Sequence, residues 1–453
     1  MTGIKLVARP ETVLFRTHAG PLTGYDLLRA AHRLAVSIPA GPVINLCRDR
    51  SRFTVALLAA LLRNETSLLV SDRSPERLRW LLNEHPGAII VTDTGEFESR
   101  FPHHRLSEIP CDFPGNENNP EIPLDRLVAI VFTSGSTGAP VAHEKRWGEL
   151  VQRSRAAIAQ FGLLQEDQPE TIVGTIPPQH MYGFETTVLL PLHTGVASMS
   201  VDGFYPADIR QALTAAPAPR VLVTTPLQLR ALVESGITLS PLRMVISATA
   251  PLAVELASQA ETRWNSRVQE IYGATEIGSI ASRRTVSGDI WTLYPGIAFR
   301  PGSDGRTEVV APPATPHPIS DMIETTGLDG ADLGGFRLLG RPGDLLKFGG
   351  KRASLAGLNA ILNSIPGILD GVFHAPDDTG LRLARRMQVF VVSPTRSADD
   401  LLAELRSRID PAFLPRRVVM LDALPRNEVG KITREALVGL HEAAAQPACS
   451  QAS

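Results

Sequence analysis

Short apolar runs alternate with helix-length segments along the first two thirds of the chain. Short, mostly apolar runs bounded by polar or turn residues predict buried strands. They occur at Val43–Leu46, Leu68–Val70, Ala88–Val91, Val128–Phe132, Thr171–Ile176, Arg220–Thr224, Met244–Ser247 and Val268–Tyr272. Phe53–Leu62 is apolar enough for a buried helix, and Ser74-Pro75 marks the start of another, with serine as the cap and proline at the first helical position. This alternation predicts an α/β fold with mostly parallel sheets covered by helices.

The pattern changes after Arg341-Pro342-Gly343. The rest of the chain has few predicted strands, at Gln388–Val392 and Arg417–Leu421, and an amphipathic helix near Asp399–Ile409. Its length suits a separate small domain. We therefore predict a large N-terminal domain over residues 1–342 and a small α+β C-terminal domain over residues 343–453.

Composition narrows the class of protein. The chain is 43% hydrophobic and 20% charged, with a formal net charge of −2, so it offers no basic surface for nucleic acid. The apolar run Val55–Leu62 is too short to span a bilayer. Cys47, Cys111 and Cys449 have the spacing of neither a disulfide framework nor a zinc site. We expect a cytoplasmic protein with no nucleic-acid or membrane partner.

A loop of serines, threonines and glycines follows the predicted strand Val128–Phe132 directly. Its residues are Thr133, Ser134, Gly135, Ser136, Thr137 and Gly138. Glycines let backbone amides approach an anion, and hydroxyls add donors, so the loop suits phosphate, although it lacks the spacing of a Walker A loop. On these residues alone, an ordinary surface turn is an equally good interpretation.

Three further motifs also place polar or charged groups in predicted turns. In Tyr272–Gly278 (YGATEIG), a tyrosine can stack on a base, a threonine can meet phosphate and a glutamate can bind Mg²⁺. Gly340–Lys347 (GRPGDLLK) and Leu424–Arg434 (LPRNEVGKITR) are the other two. Each alone is typical of a turn with charged flanks, whereas all four in this order indicate one site.

Together, the motifs resemble those of the adenylate-forming superfamily, which contains acyl- and aryl-CoA synthetases, peptide-synthetase adenylation domains and luciferases. The resemblance covers nearly the whole chain. It implies a large N-terminal domain and a small, mobile C-terminal domain that rotates between two half-reactions. ATP and a carboxylic acid first give acyl-AMP and pyrophosphate, and a thiol then takes the acyl group. The implied cofactors are ATP and Mg²⁺, with coenzyme A or the phosphopantetheine of an acyl carrier protein as acceptor.

The resemblance also assigns residues around the nucleotide. The Thr133–Gly138 loop would hold the β- and γ-phosphates, Thr275 the α-phosphate and Glu276 the Mg²⁺, and Arg341 would contact ribose and phosphate. The residues implied around adenine and ribose are Ala248, Thr249, Ala250, Tyr272, Gly273 and Asp321. Asp329 and Asp332 remain alternatives to Asp321 for the ribose.

A second group of residues is implied for the acid. These are His180, Met181, Tyr182, Gly183, Ser247 and Gly278. For His180, a place in the core is an equally good interpretation. No charged residue is clearly placed to select an amino acid's ammonium, which favours an aryl or medium-length aliphatic acid. The altered phosphate loop and the TEIGSIASR run resemble the ligases of aryl polyene and xanthomonadin pigment pathways, which implies a hydroxybenzoate-like acid and a carrier-protein acceptor.

The chain departs from the family pattern at three places, one of them being Gly357 and Asn359, which replace the acidic pair that usually follows the hinge segment. Val141 stands where the phosphate loop usually has a lysine, and the nearest lysine is Lys145. Gly343 stands at the usual hinge position, where its conformational freedom would still permit rotation.

The altered loop favours an alternative function, a degenerate relative that binds nucleotide without turnover. Intact Thr275, Glu276 and Arg341, together with Lys431 at the position of the mobile catalytic lysine, favour an active ligase more strongly. An acyl-CoA synthetase that uses free coenzyme A is the remaining alternative.

Overall fold

The computed structural model describes residues 3–95, 101–134, 140–164, 169–201, 203, 205–303, 306–326, 335–341, 344–348, 351–375, 387–427, 430, 432 and 434–445. The chain divides into two compact units. The first comprises Met1–Ala248, Ala260–Arg284 and Trp291–Pro318, and the second Thr249–Gln259, Thr285–Ile290 and Ile319–Ser453. The predicted domain boundary falls on Pro342 and Gly343, which lie outside the described residues, so it stays a prediction.

A six-stranded sheet forms one layer of the first unit. Its strands, in spatial order, are β10 (Pro140–Arg146), β9 (Leu127–Ser134), β5 (Ser67–Leu69), β4 (Val43–Asn45), β6 (Ile89–Thr92) and β7 (His103–Arg105). All neighbours pair in parallel except β10, which runs antiparallel to β9. The sequence pattern did not predict β10, because its polar composition resembles a loop.

A nine-stranded sheet forms a second layer. Its order is β17 (Thr292–Leu293), β16 (Gly278–Arg284), β15 (Arg267–Ala274), β14 (Met244–Ser247), β13 (Arg220–Thr224), β11 (Thr171–Gly174), β12 (Ala197–Ser200), β2 (Val13–Thr17) and β3 (Gly20–Thr23). The strands from β15 to β2 are parallel, and both edges are antiparallel. Smaller antiparallel sheets pair β1 (Gly3–Lys5) with β8 (Glu121–Pro123) and join β18 (Ala298–Pro301), β19 (Thr307–Val310) and β20 (His317–Pro318).

Helices connect and cover the parallel strands. They are α1 (Gly24–Ser37), α2 (Arg50–Leu62), α3 (Pro75–Glu84), α4 (Trp147–Phe161), α5 (Met181–Phe184), a π-helix (Glu185–Leu189), α6 (Leu190–Thr194), α7 (Pro206–Ala215), α8 (Pro226–Glu234) and α9 (Val254–Trp264). As predicted, Ser74 caps α3 and accepts a hydrogen bond from the Arg77 amide.

Helix α2 lies between the two large sheets. It contacts β4 of one sheet and β2 and β12 of the other, and its residues from Phe53 to Leu61 are all buried. The Arg50 guanidinium at its start donates to the carbonyls of Gly174 and Ile176, at 2.7 and 2.8 Å. A helix that is apolar all round must be covered on all sides, so α2 holds the two layers together.

The second unit is built from smaller sheets. They comprise β21 (Met322–Thr325) with β22 (Phe336–Gly340), β23 (Leu345–Phe348) with β24 (Lys351–Ser354), and β25 (Asp370–His374), β26 (Gln388–Val392) and β27 (Arg417–Met420). Its helices include α10 (Leu355–Asn363), α11 (Ala398–Arg408) and α12 (Arg434–Ala445). The predicted α/β fold, with a large unit of mostly parallel sheets and a small α+β unit, is confirmed. Within the described part of the chain, every helix is too short or too polar to cross a bilayer.

His193 is a core residue. Its Nδ1 lies 2.8 Å from the Ser154 hydroxyl, and its ring packs edge-on against Trp147 at 4.8 Å between centroids. Burial lowers its pKa from 6.5 to about 3, because the charged imidazolium would lose its hydration.

This buried histidine should make folding stability depend on pH. Between pH 6.5 and 3 the unfolded chain binds a proton that the folded chain does not, so stability falls as the pH falls. From pH 7 to pH 5 the loss attributable to His193 should be about 2 kcal/mol. Urea unfolding at both pH values should show that His193→Gln removes this loss. The same substitution at His32, which is only partly buried, is the control. An unchanged pH dependence in His193→Gln would contradict the assignment.

Candidate active site

The predicted phosphate loop connects two antiparallel strands. Strand β9 ends with Ser134, which pairs with Pro140 at the start of β10, and Thr133 pairs with Val141. The Thr133 hydroxyl lies 2.9 Å from His143 Nε2, so the strand end is fixed by a side-chain hydrogen bond. Gly135, Ser136, Thr137 and Gly138 lie outside the described residues, and their role stays a prediction.

The predicted adenine and magnesium motif forms another hairpin. Strands β15 and β16 pair antiparallel up to Ala274 and Gly278, so Thr275 and Glu276 lie in the turn between them. Gly273 is required there, because a Cβ at this position would lie 2.4 Å from the Gly278 carbonyl oxygen. The ring of Tyr272 is partly buried, with its centroid 5.7 Å from that of Trp291.

Lys145 joins the two hairpins. It lies on β10, is only 3% exposed, and its Nζ donates to the Glu276 carbonyl oxygen at 2.9 Å. Burial lowers the pKa of Lys145, while the nearby Glu185 carboxylate acts in the opposite direction. In the sequence Lys145 is only the lysine nearest to the phosphate loop, whereas in the structure it contacts the Glu276 turn.

The predicted acid-binding segment begins at His180, which caps the short helix α5 and is partly buried. Gly183 allows a close backbone approach, since a Cβ there would lie 2.3 Å from the Pro177 carbonyl oxygen. The Tyr182 hydroxyl donates to the carbonyl oxygens of Thr224 and Ile246, at 3.3 and 2.9 Å, and burial raises its pKa well above 10. Tyr182 therefore anchors α5 to the ends of two parallel strands, and Met181 faces a cavity.

Glu185 begins the π-helix and is 6% exposed. It accepts hydrogen bonds from the Ser279 amide, at 3.1 and 3.2 Å, and from the Ser279 hydroxyl at 2.5 Å. Burial raises the pKa of Glu185, and these hydrogen bonds act against that rise. A Cβ on Gly278 (φ +77°) would lie 2.3 Å from Glu185 Oε1. A single charged residue inside the apolar run Met181–Leu192 was the signal that sequence analysis missed.

These elements enclose a cavity of about 450 Å³ within the first unit. Its lining comprises Ala142, His143, Glu144, Lys145, Arg146, Glu149, Leu150, Arg153, Met181, Glu185, Glu276, Ile277, Val309, Ala311, Ala314, Thr315 and His317. Of the predicted residues, Glu276 and Met181 meet here. The structure adds the buried charges of Lys145, Arg153 and Glu185, which the sequence pattern did not reveal.

Glu276 fits a magnesium ion that arrives with ATP. Among the described residues, no cluster of three or more His, Cys, Asp or Glu side chains could hold a metal on its own. Mg²⁺ usually takes one or two protein carboxylates and completes its shell with water and substrate phosphates. The Glu276 carboxylate at the cavity wall can be such a donor, and the bound ion would neutralise phosphate charge.

Glu276→Gln should raise the Mg²⁺ concentration needed for half-maximal activity by about 10-fold, because an isosteric change removes the anionic ligand. The measurement is ATP–pyrophosphate exchange against free Mg²⁺ at saturating ATP. Glu144→Gln is the matched control, since that exposed carboxylate lies on the same cavity rim. If Glu276→Gln and the wild type titrate alike, Glu276 is not the metal ligand.

The predicted adenine segment follows β14. Ser247 ends the strand and Ala248 follows it, and both are buried in the first unit. Thr249, which the second unit includes, has φ +85°, and a β-branched residue rarely adopts this left-handed conformation. Such backbone strain is concentrated at functional sites. Ala250, also implied around adenine, follows Thr249 in the chain.

Asp321 and Arg341, the predicted ribose residues, meet in the second unit. Asp321 precedes β21 and Arg341 follows β22, and the pairing of Met322 with Gly340 brings both to the same end of that hairpin. Arg341 Nε lies 3.4 Å from Asp321 Oδ1. The alternatives Asp329 and Asp332 lie outside the described residues.

Lys431 and the predicted hinge Gly343 also lie outside the described residues, but the neighbours of Lys431 are described. The Arg426 guanidinium binds both carboxylate oxygens of Asp370, at 2.5 and 2.6 Å, and donates to the Gly430 carbonyl oxygen at 2.5 Å. Arg426 also forms a β-bridge with Ile432. Arg426 therefore fixes the chain on both sides of position 431.

The Thr-Glu turn, which Lys145 ties to the strand that follows the predicted phosphate loop, lies beside a cavity, and the sequence matches one class of enzyme. Residues 20–301 match the family of AMP-binding enzymes. The chain belongs to this AMP-binding enzyme family.

The sequence and the fold also resemble those of known acid–CoA ligases. The 4-coumarate–CoA ligase of Rhodobacter capsulatus is 29% identical over 67% of this chain and 74% of its own length. The mitochondrial malonate–CoA ligase of Mus musculus is 21% identical over 87% of this chain and 80% of its own. The o-succinylbenzoate CoA synthetase of Bacillus subtilis, solved with its acyl-adenylate intermediate, shares the fold with a TM-score of 0.78 at 17% identity, covering 94% of this chain and 95% of that one.

The predicted class of enzyme is therefore confirmed. This AMP-binding enzyme is an ATP-dependent, AMP-forming acid–thiol ligase.

Proposed function

We propose that this AMP-binding enzyme activates an aryl, hydroxybenzoate-like carboxylic acid as its acyl-AMP and transfers the acyl group to the phosphopantetheine of an acyl carrier protein. The observation that carries the proposal is the cavity wall in which Lys145 holds the Glu276 turn beside the phosphate-loop strand. The acid would meet ATP beside this wall, where Glu276 would hold the Mg²⁺ that accompanies ATP.

In the first step a carboxylate oxygen attacks the α-phosphorus of ATP, and pyrophosphate leaves. Both reactants are anions, so the site must offset their repulsion. The phosphate-loop hydroxyls, Thr275 and Lys431 would donate hydrogen bonds as charge moves toward the leaving group. In the second step the thiol sulphur attacks the acyl carbon, and AMP leaves with the electron pair of the broken acyl–oxygen bond.

The nature of the acid is supported by two lines. Met181, Leu150, Ile277 and Val309 add apolar side chains to a lining that is otherwise rich in charged residues, and a ring or an aliphatic chain could pack against them. The relative from Rhodobacter capsulatus is a 4-coumarate ligase, whose name specifies an aryl acid. The carrier-protein acceptor rests on the resemblance to pigment-pathway ligases.

Free coenzyme A is the second candidate acceptor, and the names of the CoA ligases among the relatives favour it. ATP–pyrophosphate exchange with a panel of acids tests the first step. No exchange with any acid would leave the degenerate, nucleotide-binding alternative. Single-turnover transfer from enzyme-bound acyl-AMP, to coenzyme A or to a phosphopantetheinylated carrier protein, then decides the acceptor. Transfer to coenzyme A alone would overturn the carrier-protein proposal.

A further inference from the structure

One wall of the cavity carries a largely buried arginine, Arg153. Arg153 lies on α4, is 8% exposed, and burial lowers its pKa. Across the part of the chain that the structure describes, no group accepts a hydrogen bond from its guanidinium. None of its nitrogens is among the fully enclosed polar atoms that lack a partner, so the guanidinium is open to the cavity and can donate to a ligand. Its position in the cavity wall therefore points to an acceptor that a ligand supplies.

Glu185 and Lys145 lie on the same wall. Of the nearby carboxylates, Glu185 acts most strongly to raise the pKa values of Lys145 and Arg153, against the lowering caused by burial. A Cβ placed on Gly278 would lie 2.3 Å from Glu185 Oε1 and 3.6 Å from Arg153 Nε, so both groups reach the same glycine. A carboxylate has about four acceptor positions, and Ser279 occupies up to three of those on Glu185.

The charges of the lining argue against a second anion on the acid. The lining has three cations, Lys145, Arg146 and Arg153, and four carboxylates, Glu144, Glu149, Glu185 and Glu276. A ligand carboxylate at the Arg153 end would therefore add a charge to a wall that already has an excess of carboxylates. An uncharged oxygen avoids that repulsion and can still accept from the guanidinium.

We propose that the acid carries a hydroxyl group remote from its carboxylate, and that Arg153 and Glu185 select it, the guanidinium donating to the hydroxyl oxygen and the carboxylate accepting the hydroxyl hydrogen. This inference rests on the proposed function, because it assumes that the acid enters this cavity. The volume of about 450 Å³ is sufficient, since a cavity of about 150 Å³ holds a benzene ring.

The test compares acids that differ only at the remote substituent. Pyrophosphate exchange is measured with benzoate, 3-hydroxybenzoate, 4-hydroxybenzoate and isophthalate, which carries a second carboxylate. The better hydroxybenzoate should have a kcat/KM at least about 100-fold above that of benzoate, because a site built to bind a hydroxyl rejects the analogue without it. Equal rates with benzoate, or a preference for isophthalate, would overturn the inference.

Variants of Arg153 test whether this residue causes the preference for hydroxybenzoate over benzoate. Arg153→Met should reduce the hydroxybenzoate-to-benzoate ratio below about 10 while the KM for ATP is unchanged, and Arg153→Lys should restore part of it. Arg155→Met, at an exposed position on the same helix, is the matched control and should keep the wild-type ratio. Arg153→Met with an unchanged ratio would contradict the assignment.

A binding measurement on the wild-type enzyme covers the case in which the variants do not fold. Hydroxybenzoyl sulfamoyladenosine should bind at least about 10-fold more tightly than benzoyl sulfamoyladenosine by calorimetry. Equal affinities would overturn this inference even if exchange is active. Absence of exchange with every acid, together with a clear preference in binding, would instead reject the proposed catalytic function and keep the hydroxyl site.

Discussion

Replacing Lys431 with alanine is expected to slow adenylation by about 10²–10³-fold, the usual cost of losing one donor that acts on charge in the transition state. Lysine suits this role because it is a compact charge on a flexible side chain. The measurement is the single-turnover rate of pyrophosphate release at saturating ATP and acid.

The same variant should transfer the acyl group from synthetic acyl-AMP to the thiol at close to the wild-type rate, since the family resemblance implies that this lysine serves only the first step. Lys351→Ala is the matched control, because Lys351 is an exposed lysine that pairs with Asp410 in the second unit. Equal losses in both half-reactions would show that Lys431 is not restricted to adenylation.

Arg426→Ala should also impair adenylation, by about 10²-fold, although Arg426 contacts no reacting group. Its hydrogen bonds to Asp370 and to the Gly430 carbonyl oxygen fix the chain on one side of position 431, and its bridge to Ile432 fixes the other. A charge that is held less firmly reaches the transition-state geometry less often. The readout that distinguishes positioning from general destabilisation is kcat for adenylation, measured well below the unfolding temperature, with thiolysis as the internal reference.

Arg300→Ala is the control for loss of an arginine pair, because Arg300 pairs with Glu308 at an exposed position of the first unit. That substitution should cost less than about 1 kcal/mol of stability and leave both rates unchanged. Asp370→Asn should fall between Arg426→Ala and the wild type, since the amide keeps one acceptor. An Arg426→Ala enzyme with a normal adenylation rate would show that other contacts position Lys431.

The sequence predicts strands best where they are buried on both faces. The bounds predicted for Arg220–Thr224, Met244–Ser247 and Gln388–Val392 are those of the structure, because a parallel or covered strand is a continuous apolar run. The edge strand Pro140–Arg146 was missed, since its exposed and charged residues follow no apolar pattern. Its pairing is set by the preceding strand and by the turn.

The candidate site also contains residues that neighbouring sequence could predict and residues that it could not. Turn motifs that surround phosphate or a base have local signatures, so Thr275, Glu276 and the phosphate loop could be assigned from neighbouring residues. Lys145, Arg153 and Glu185 could not, because their partners are distant in the chain. Lys145 meets Glu276 across 131 positions, and Glu185 meets Ser279 across 94. Only the folded arrangement makes these charged residues part of a cavity.

The hydrogen bond from Lys145 to Glu276 couples the two large sheets. Lys145 belongs to the edge strand of the six-stranded sheet, and Glu276 to the turn between two strands of the nine-stranded sheet. The two sheets are also joined by α2, through its apolar packing and through the hydrogen bonds of Arg50 to the carbonyls of Gly174 and Ile176. The hydrogen bond from the buried Lys145 to Glu276 is a further direct link between the two sheets. A shift of the phosphate-loop strand must therefore carry the Glu276 turn with it or break this bond.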